Sequence, residues 1–211
     1  MFPLATLVAY VAACIVVVLS PGPDNLLAIS RGLSQGRVAA ALSAAGAGLG
    51  ILFHTLAATL GLSLLVQESP AAFWVVKLVG AAYLVWLGVR AIASGNLVSF
   101  APAQRMGLRR VFATGVLSNV LNPKPGLFVL AFLPQFVDAR RGSVTLQMLV
   151  FGAIFAVMTA AIFSLMGAFA ARLARWLEQR PRAVKGLNAG AGAVFIAAGL
   201  SVLALRQKTP A

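Results

Sequence analysis

"LSPGPDNLLAIS", residues 19–30, interrupts an apolar run that carries no charge before it. A proline removes a backbone donor and clashes with the carbonyl four residues back. Pro21 and Pro23 therefore open a helix and strand several carbonyls, and the carboxylate of Asp24 stands in the opening. Water would satisfy such groups on a soluble helix. Inside a bilayer they must face protein or a watery cavity.

Composition decides which solvent applies. Of 211 residues, 61% are hydrophobic and 10% charged, against about 45–50% and 25% in soluble domains. The excess is gathered in long runs, each near or above the ~20 residues a membrane helix needs. Six can be drawn, at about 4–29, 38–66, 71–92, 111–136, 144–171 and 186–205. The expected fold is an all-α integral membrane protein of six transmembrane helices in a single domain over 1–211. The lone Cys14 excludes a disulfide framework.

Seventeen Lys and Arg against four Asp and Glu leave a net charge of +13. The basic residues lie in short loops between apolar runs, so they read as orientation signals rather than as a nucleic-acid surface. Eleven fall in the loops after spans one, three and five (Arg31 and Arg37; Arg90, Arg105, Arg109 and Arg110; Arg172, Arg175, Arg180, Arg182 and Lys185). Four fall on the other side, at Arg140, Arg141, Arg206 and Lys208. Lys/Arg excess marks the cytoplasmic face, so both termini are expected outside.

A polar stretch at about 93–108 divides the chain into repeat one, about 1–95, and repeat two, about 109–211. Repeat two opens with a second interruption, "LSNVLNPKPGLFVLAF", residues 117–132. Laying Ser20-Pro21-Gly22-Pro23-Asp24 over Asn122-Pro123-Lys124-Pro125-Gly126 aligns both prolines. Three spans per repeat make the halves run in opposite directions. Inverted repeats with matched broken helices point to a transporter site.

A broken helix creates an N-terminal half-helix end that attracts carboxylates and freed carbonyls that attract cations. Asp24 and Lys124 would each cost ~3 kcal/mol near the bilayer centre on insertion scales, so the site is expected to use them. Asp24 is assigned the ammonium of a zwitterionic substrate or a coupling proton, and Lys124 its carboxylate. Ser20, Gly22, Asn119 and Asn122 flank the breaks, where hydroxyls and amides can bind ligand or repair freed backbone. In span two, Gly46, Gly50 and His54 share one helical face. Gly46-x-x-x-Gly50 admits a close neighbour, and His54 faces the bundle, where an imidazole can relay protons. Small-residue faces on spans two and six would suit a homodimer seam.

The enzyme reading fails on inventory, with one histidine, no H-E-x-x-H and no G-x-S-x-G. A divalent-cation permease wants several carboxylates, and a scaffold or sensor would not need matched breaks. Both stay open as alternatives. No metal or cofactor is expected.

Five segments, "SPGPD", "SRGLSQGR", "GLGILFHTLAATLGL", "KLVGAAYLVWLGVRA" and "LNPKPGLFVLAFLPQFVD", together resemble the LysE/RhtB-type amino-acid exporters. The resemblance implies a bacterial inner-membrane permease that exports amino acids such as threonine, homoserine or lysine, driven by the proton gradient. Ser20, Pro21, Gly22, Pro23 and Asp24 match its first motif, and Asn122, Pro123 and Lys124 its second. The family carries Asp or Asn at position 24, and Pro125 stands where a small or apolar residue is expected.

Overall fold

The computed structural model describes residues 2–20, 22–68, 70–93 and 102–204. Pro21, the first half of the polar linker (94–101) and the C-terminal cations Arg206 and Lys208 lie outside the described residues. Eight α-helices account for most of the described residues, and no strand occurs among them.

Helix α1, Leu4–Leu19, stops where the first proline pair begins. At 1.5 Å per residue its 16 residues rise about 24 Å, short of a ~30 Å hydrocarbon core. Helix α2, Pro23–Glu68, starts with proline at its first position, where the missing N–H has no helical partner to lose. Its single interruption is Gly36, at φ 79° and ψ −170°, a conformation suited to glycine alone.

The loop expected between spans one and two thus contracts to one residue. Arg31, read as a free loop cation, is a buried helical residue. Its Nη1 donates to the Gln104 carbonyl at 2.5 Å and to Gln35 Oε1 at 3.3 Å. Residues 102–107 lie as a strap along this turn, with Gln35 Nε2 donating to the Met106 carbonyl and Arg105 Nε to that of Ser34.

Helix α3, Pro70–Ala93, is followed after the linker by α4, Leu108–Leu121, and α5, Pro123–Ala131. The chain bends by 54° at Asn122, between α4 and the α5 segment that runs on to Phe136. Two short 3-10 turns, Leu133–Phe136 and Ala139–Arg141, lead into α6, Val144–Ala168. Expected span five ends at Phe169, where α7, Ala170–Glu178, sets off as a separate short helix. Helix α8, Pro181–Ala204, completes the described chain.

Two segments, Pro23–Gly61 and Val144–Ala168, are each long and apolar enough to cross a bilayer, and the bent pair 108–136 makes a third if counted as one span. Leu4, Leu60, Leu121 and Val157 are exposed on the outside, as lipid-facing side chains are.

The packing separates into two groups. Helix α2 lies between α4 and α6, while α3 pairs mainly with α8. A Cβ on Gly46 would strike the Phe112 carbonyl, and one on Gly115 the Ser43 carbonyl, so α2 and α4 cross with backbones nearly touching. In the second group Gly88 and Gly192 face each other's carbonyls. Of the small-residue faces considered for a homodimer seam, Gly46, Gly50 and Gly192 thus meet neighbours within one chain, while a Cβ on Gly61, Gly186 or Gly190 would meet nothing within 4 Å. Between the groups an aromatic core joins α1, α5 and α6. Tyr10 and Phe151 pack at 4.6 Å between centroids, Phe128 and Phe155 at 5.1 Å, and the Tyr10 hydroxyl donates to the Phe151 carbonyl at 2.8 Å.

Candidate functional site

Each proline leaves the carbonyl four residues earlier without its helical partner. For Pro21 that carbonyl belongs to Val17, and for Pro123 to Asn119. Both orphans are served from the opposite half of the chain. Lys124 Nζ donates to the Val17 carbonyl at 3.3 Å and to that of Ser20 at 2.8 Å. His54 Nε2 lies 3.0 Å from the Asn119 carbonyl, which also accepts from the Asn122 amide at 3.0 Å. A carbonyl only accepts, so Nε2 carries the hydrogen.

Asp24 sits in the first turn of α2, where the helix dipole favours a carboxylate. Its Oδ1 accepts from Ser118 Oγ at 2.6 Å, and its Oδ2 from Asn119 Nδ2 at 2.8 Å and Asn122 Nδ2 at 3.0 Å. Hydrogen bonds to a charged group contribute about 1.5–3 kcal/mol each, so three of them offset an insertion cost of ~3 kcal/mol. Asn122 also caps α5, its Oδ1 accepting from the Lys124 amide at 3.0 Å. One residue thus ends one helix with its backbone, and with its side chain starts the next and holds the carboxylate of the other break.

Asp24 and Lys124 are both buried, yet no ion pair joins them. The ion pairs among the described residues are those of Asp138 with Arg140 and Arg141, in the turn before α6. There the Arg140 guanidinium holds the Asp138 carboxyl below its usual range.

Small residues make the meeting of the two breaks possible. A Cβ on Gly22 would lie 2.9 Å from Lys124 Nζ, and one on Gly126 2.9 Å from the His54 ring. Gly50 gives the same room to the Asn119 side chain. Beside the second break a cavity of about 290 Å3 is bordered by His54, Asn122, Pro123 and Gly126 among apolar side chains.

Of the residues singled out from sequence, Ser20, Gly22, Asp24, His54, Asn119, Asn122 and Lys124 come together here. Pro23 and Pro123 begin α2 and α5, and Gly46 serves the α2–α4 crossing. Two contributors were missed. Ser118 shares a helical face with Asn122 four residues on, a polar pair that could have been noticed in an apolar run. Asn25 donates to the Val18 carbonyl at 2.7 Å and to that of Ser20 at 2.9 Å, and nothing but its adjacency to Asp24 signals it. The Oδ1 atoms of Asn25 and Asn119 are buried without a hydrogen-bond partner.

Comparison with known proteins puts this chain in a family. A homoserine/homoserine lactone efflux protein of Salmonella typhi is 31% identical over 202 residues, covering 94% of this chain and 96% of its own. A leucine efflux protein of Klebsiella pneumoniae is 25% identical, with 92% and 93% covered. A membrane protein of Vibrio cholerae is 33% identical, with 91% and 93% covered. No solved structure matches the chain. The family model described as LysE type translocator matches residues 15–206. With that match across nearly its whole length, and with helices suited to a bilayer, the chain belongs to the LysE type translocator family of membrane proteins.

Proposed function

We propose that the protein is a secondary transporter that exports a small amino acid or derivative across the bacterial inner membrane. The observation that carries this reading is the crossed satisfaction of the two breaks. Asp24 of the first half is held by Ser118, Asn119 and Asn122 of the second, and Lys124 of the second half by carbonyls of the first. Opposite charges held apart in one buried site offer an ammonium and a carboxylate separate partners, which a zwitterion needs.

In this reading the protein has six spans in two inverted repeats, with both termini outside. Among the described residues, the hydrogen bonds Asp24, Lys124 and His54 make between the halves each join a side chain of one half to the backbone or carboxylate of the other. Substrate that takes Asp24 or Lys124 removes one of those clasps and lets the halves rock, exposing the site to each face in turn. Proton coupling follows if Asp24 alternates between a proton and the substrate ammonium. The efflux functions named for the Salmonella and Klebsiella relatives favour small, uncharged side chains such as those of homoserine and leucine.

An efflux screen over all amino acids in an overexpressing strain is the direct test. Faster loss of at least one labelled amino acid, collapsed by an uncoupler, is expected. Efflux no faster than in the empty-vector strain for every amino acid would overturn the proposal.

A further inference from the structure

A second cavity, of about 250 Å3, opens on the α3 side of the first break. Ser20 and Lys124 line it from the paired breaks, Trp86, Leu87 and Arg90 from α3, and Phe195 from α8. It lies where the α3–α8 pair meets the rest of the bundle, two groups that each pack more closely within themselves than with each other.

The lining has a definite chemistry. It carries two cations, Lys124 and Arg90, and no carboxylate. The Arg90 guanidinium lies over the Trp86 ring at 5.2 Å from its centroid. A guanidinium held over a ring by its charge still has N–H donors to offer, and their fork suits a bidentate carboxylate or phosphate. Phe195 and Leu87 add apolar wall, and the Ser20 hydroxyl a neutral polar group. An anionic group attached to a small apolar body fits this set, and a second cation does not.

We propose that this cavity is a carboxylate-binding chamber in which Arg90 takes the carboxylate of the transported amino acid before Lys124 does. The proposal rests on the export reading above and adds Arg90 and Trp86 to the substrate-binding residues. Arg90 is exposed in the last turn of α3, whereas Lys124 is buried among carbonyls. The two cations thus border the same cavity, one exposed and one buried at the break. A lipid phosphate shares the chemistry a carboxylate presents, and the experiment separates the two.

The full-length protein carrying Trp74→Phe and Trp176→Phe, in nanodiscs of zwitterionic lipid, leaves Trp86 as its one tryptophan. Its fluorescence is titrated with L-leucine, L-homoserine and L-threonine, with the amide of each, and with dihexanoyl phosphatidylglycerol. Saturable quenching by at least one acid and not by its amide is expected. Arg90→Gln should weaken that binding roughly three- to tenfold, the range for one charged partner at a partly exposed site, and Arg90→Lys should recover part of the loss. Quenching by the lipid alone, or none that depends on the carboxylate, overturns the proposal. Export from cells with an unchanged KM in Arg90→Gln overturns this site while the carrier reading stands. Carboxylate-dependent quenching without any export leaves the site and overturns the carrier.

Discussion

At Asp24 the charge and the hydrogen-bond geometry can be separated by substitution. In Asp24→Asn the amide oxygen can face Asn119 and Asn122, which share Oδ2, while its NH2 faces Ser118, whose hydroxyl also accepts. The fold is retained and the charge is lost. Export is expected to fall at least tenfold, with stability within about 1 kcal/mol of the parent. Asp24→Ala strands three donors and should cost about 2–5 kcal/mol, read as a lowered unfolding temperature of the purified protein. His54 permits a similar separation. If its task is to donate to the Asn119 carbonyl, His54→Gln keeps export within about twofold and His54→Ala does not, because only glutamine supplies an N–H. Loss of export in a stable His54→Gln variant would assign the imidazole to proton relay instead.

Two predictions belong to the elements. Pro123→Ala returns an N–H to the position that would close the helix onto the Asn119 carbonyl. It should gain about 1 kcal/mol of thermal stability from one backbone bond and lower export more than tenfold, because a straightened α4–α5 no longer presents Lys124 to α1. A variant that is less stable and transports normally would remove the bend from the mechanism. Gly36 makes a different case. Nothing crowds a Cβ there, yet φ is 79°, so Gly36→Ala tests backbone strain alone. A loss of about 1–3 kcal/mol is expected, measured by thermal unfolding.

Orientation is a property of the whole molecule. Arg141, in the turn before α6, and Arg182, at the start of α8, fall on opposite faces in the six-span reading. Cysteines introduced singly as Arg141→Cys and Arg182→Cys should label differently with a membrane-impermeant maleimide. The first is expected to react in intact cells and the second only after permeabilisation, while the buried Cys14 stays silent. The reverse pattern would turn the protein over in the membrane.

Much of the architecture follows from one-dimensional information. Apolar runs locate helices because a bilayer leaves a backbone few other ways to satisfy itself, and the proline pairs locate the breaks because the missing N–H is a local property of the residue. Asp24 and Lys124 stand out as charges in apolar surroundings for the same reason. Partners are another matter. That Lys124 serves the carbonyls of Val17 and Ser20, that His54 serves Asn119, and that Arg31 is buried under the 102–107 strap depend on which helix lies beside which. No local pattern encodes a neighbour about a hundred residues away. The collapse of the first loop into Gly36 and the identity of the helix that Gly46 meets were equally out of reach, since both are settled by packing. Sequence alone determined where the polar atoms are stranded, and only the tertiary structure decided what satisfies them, because stranding is a covalent fact and satisfaction a matter of proximity in space.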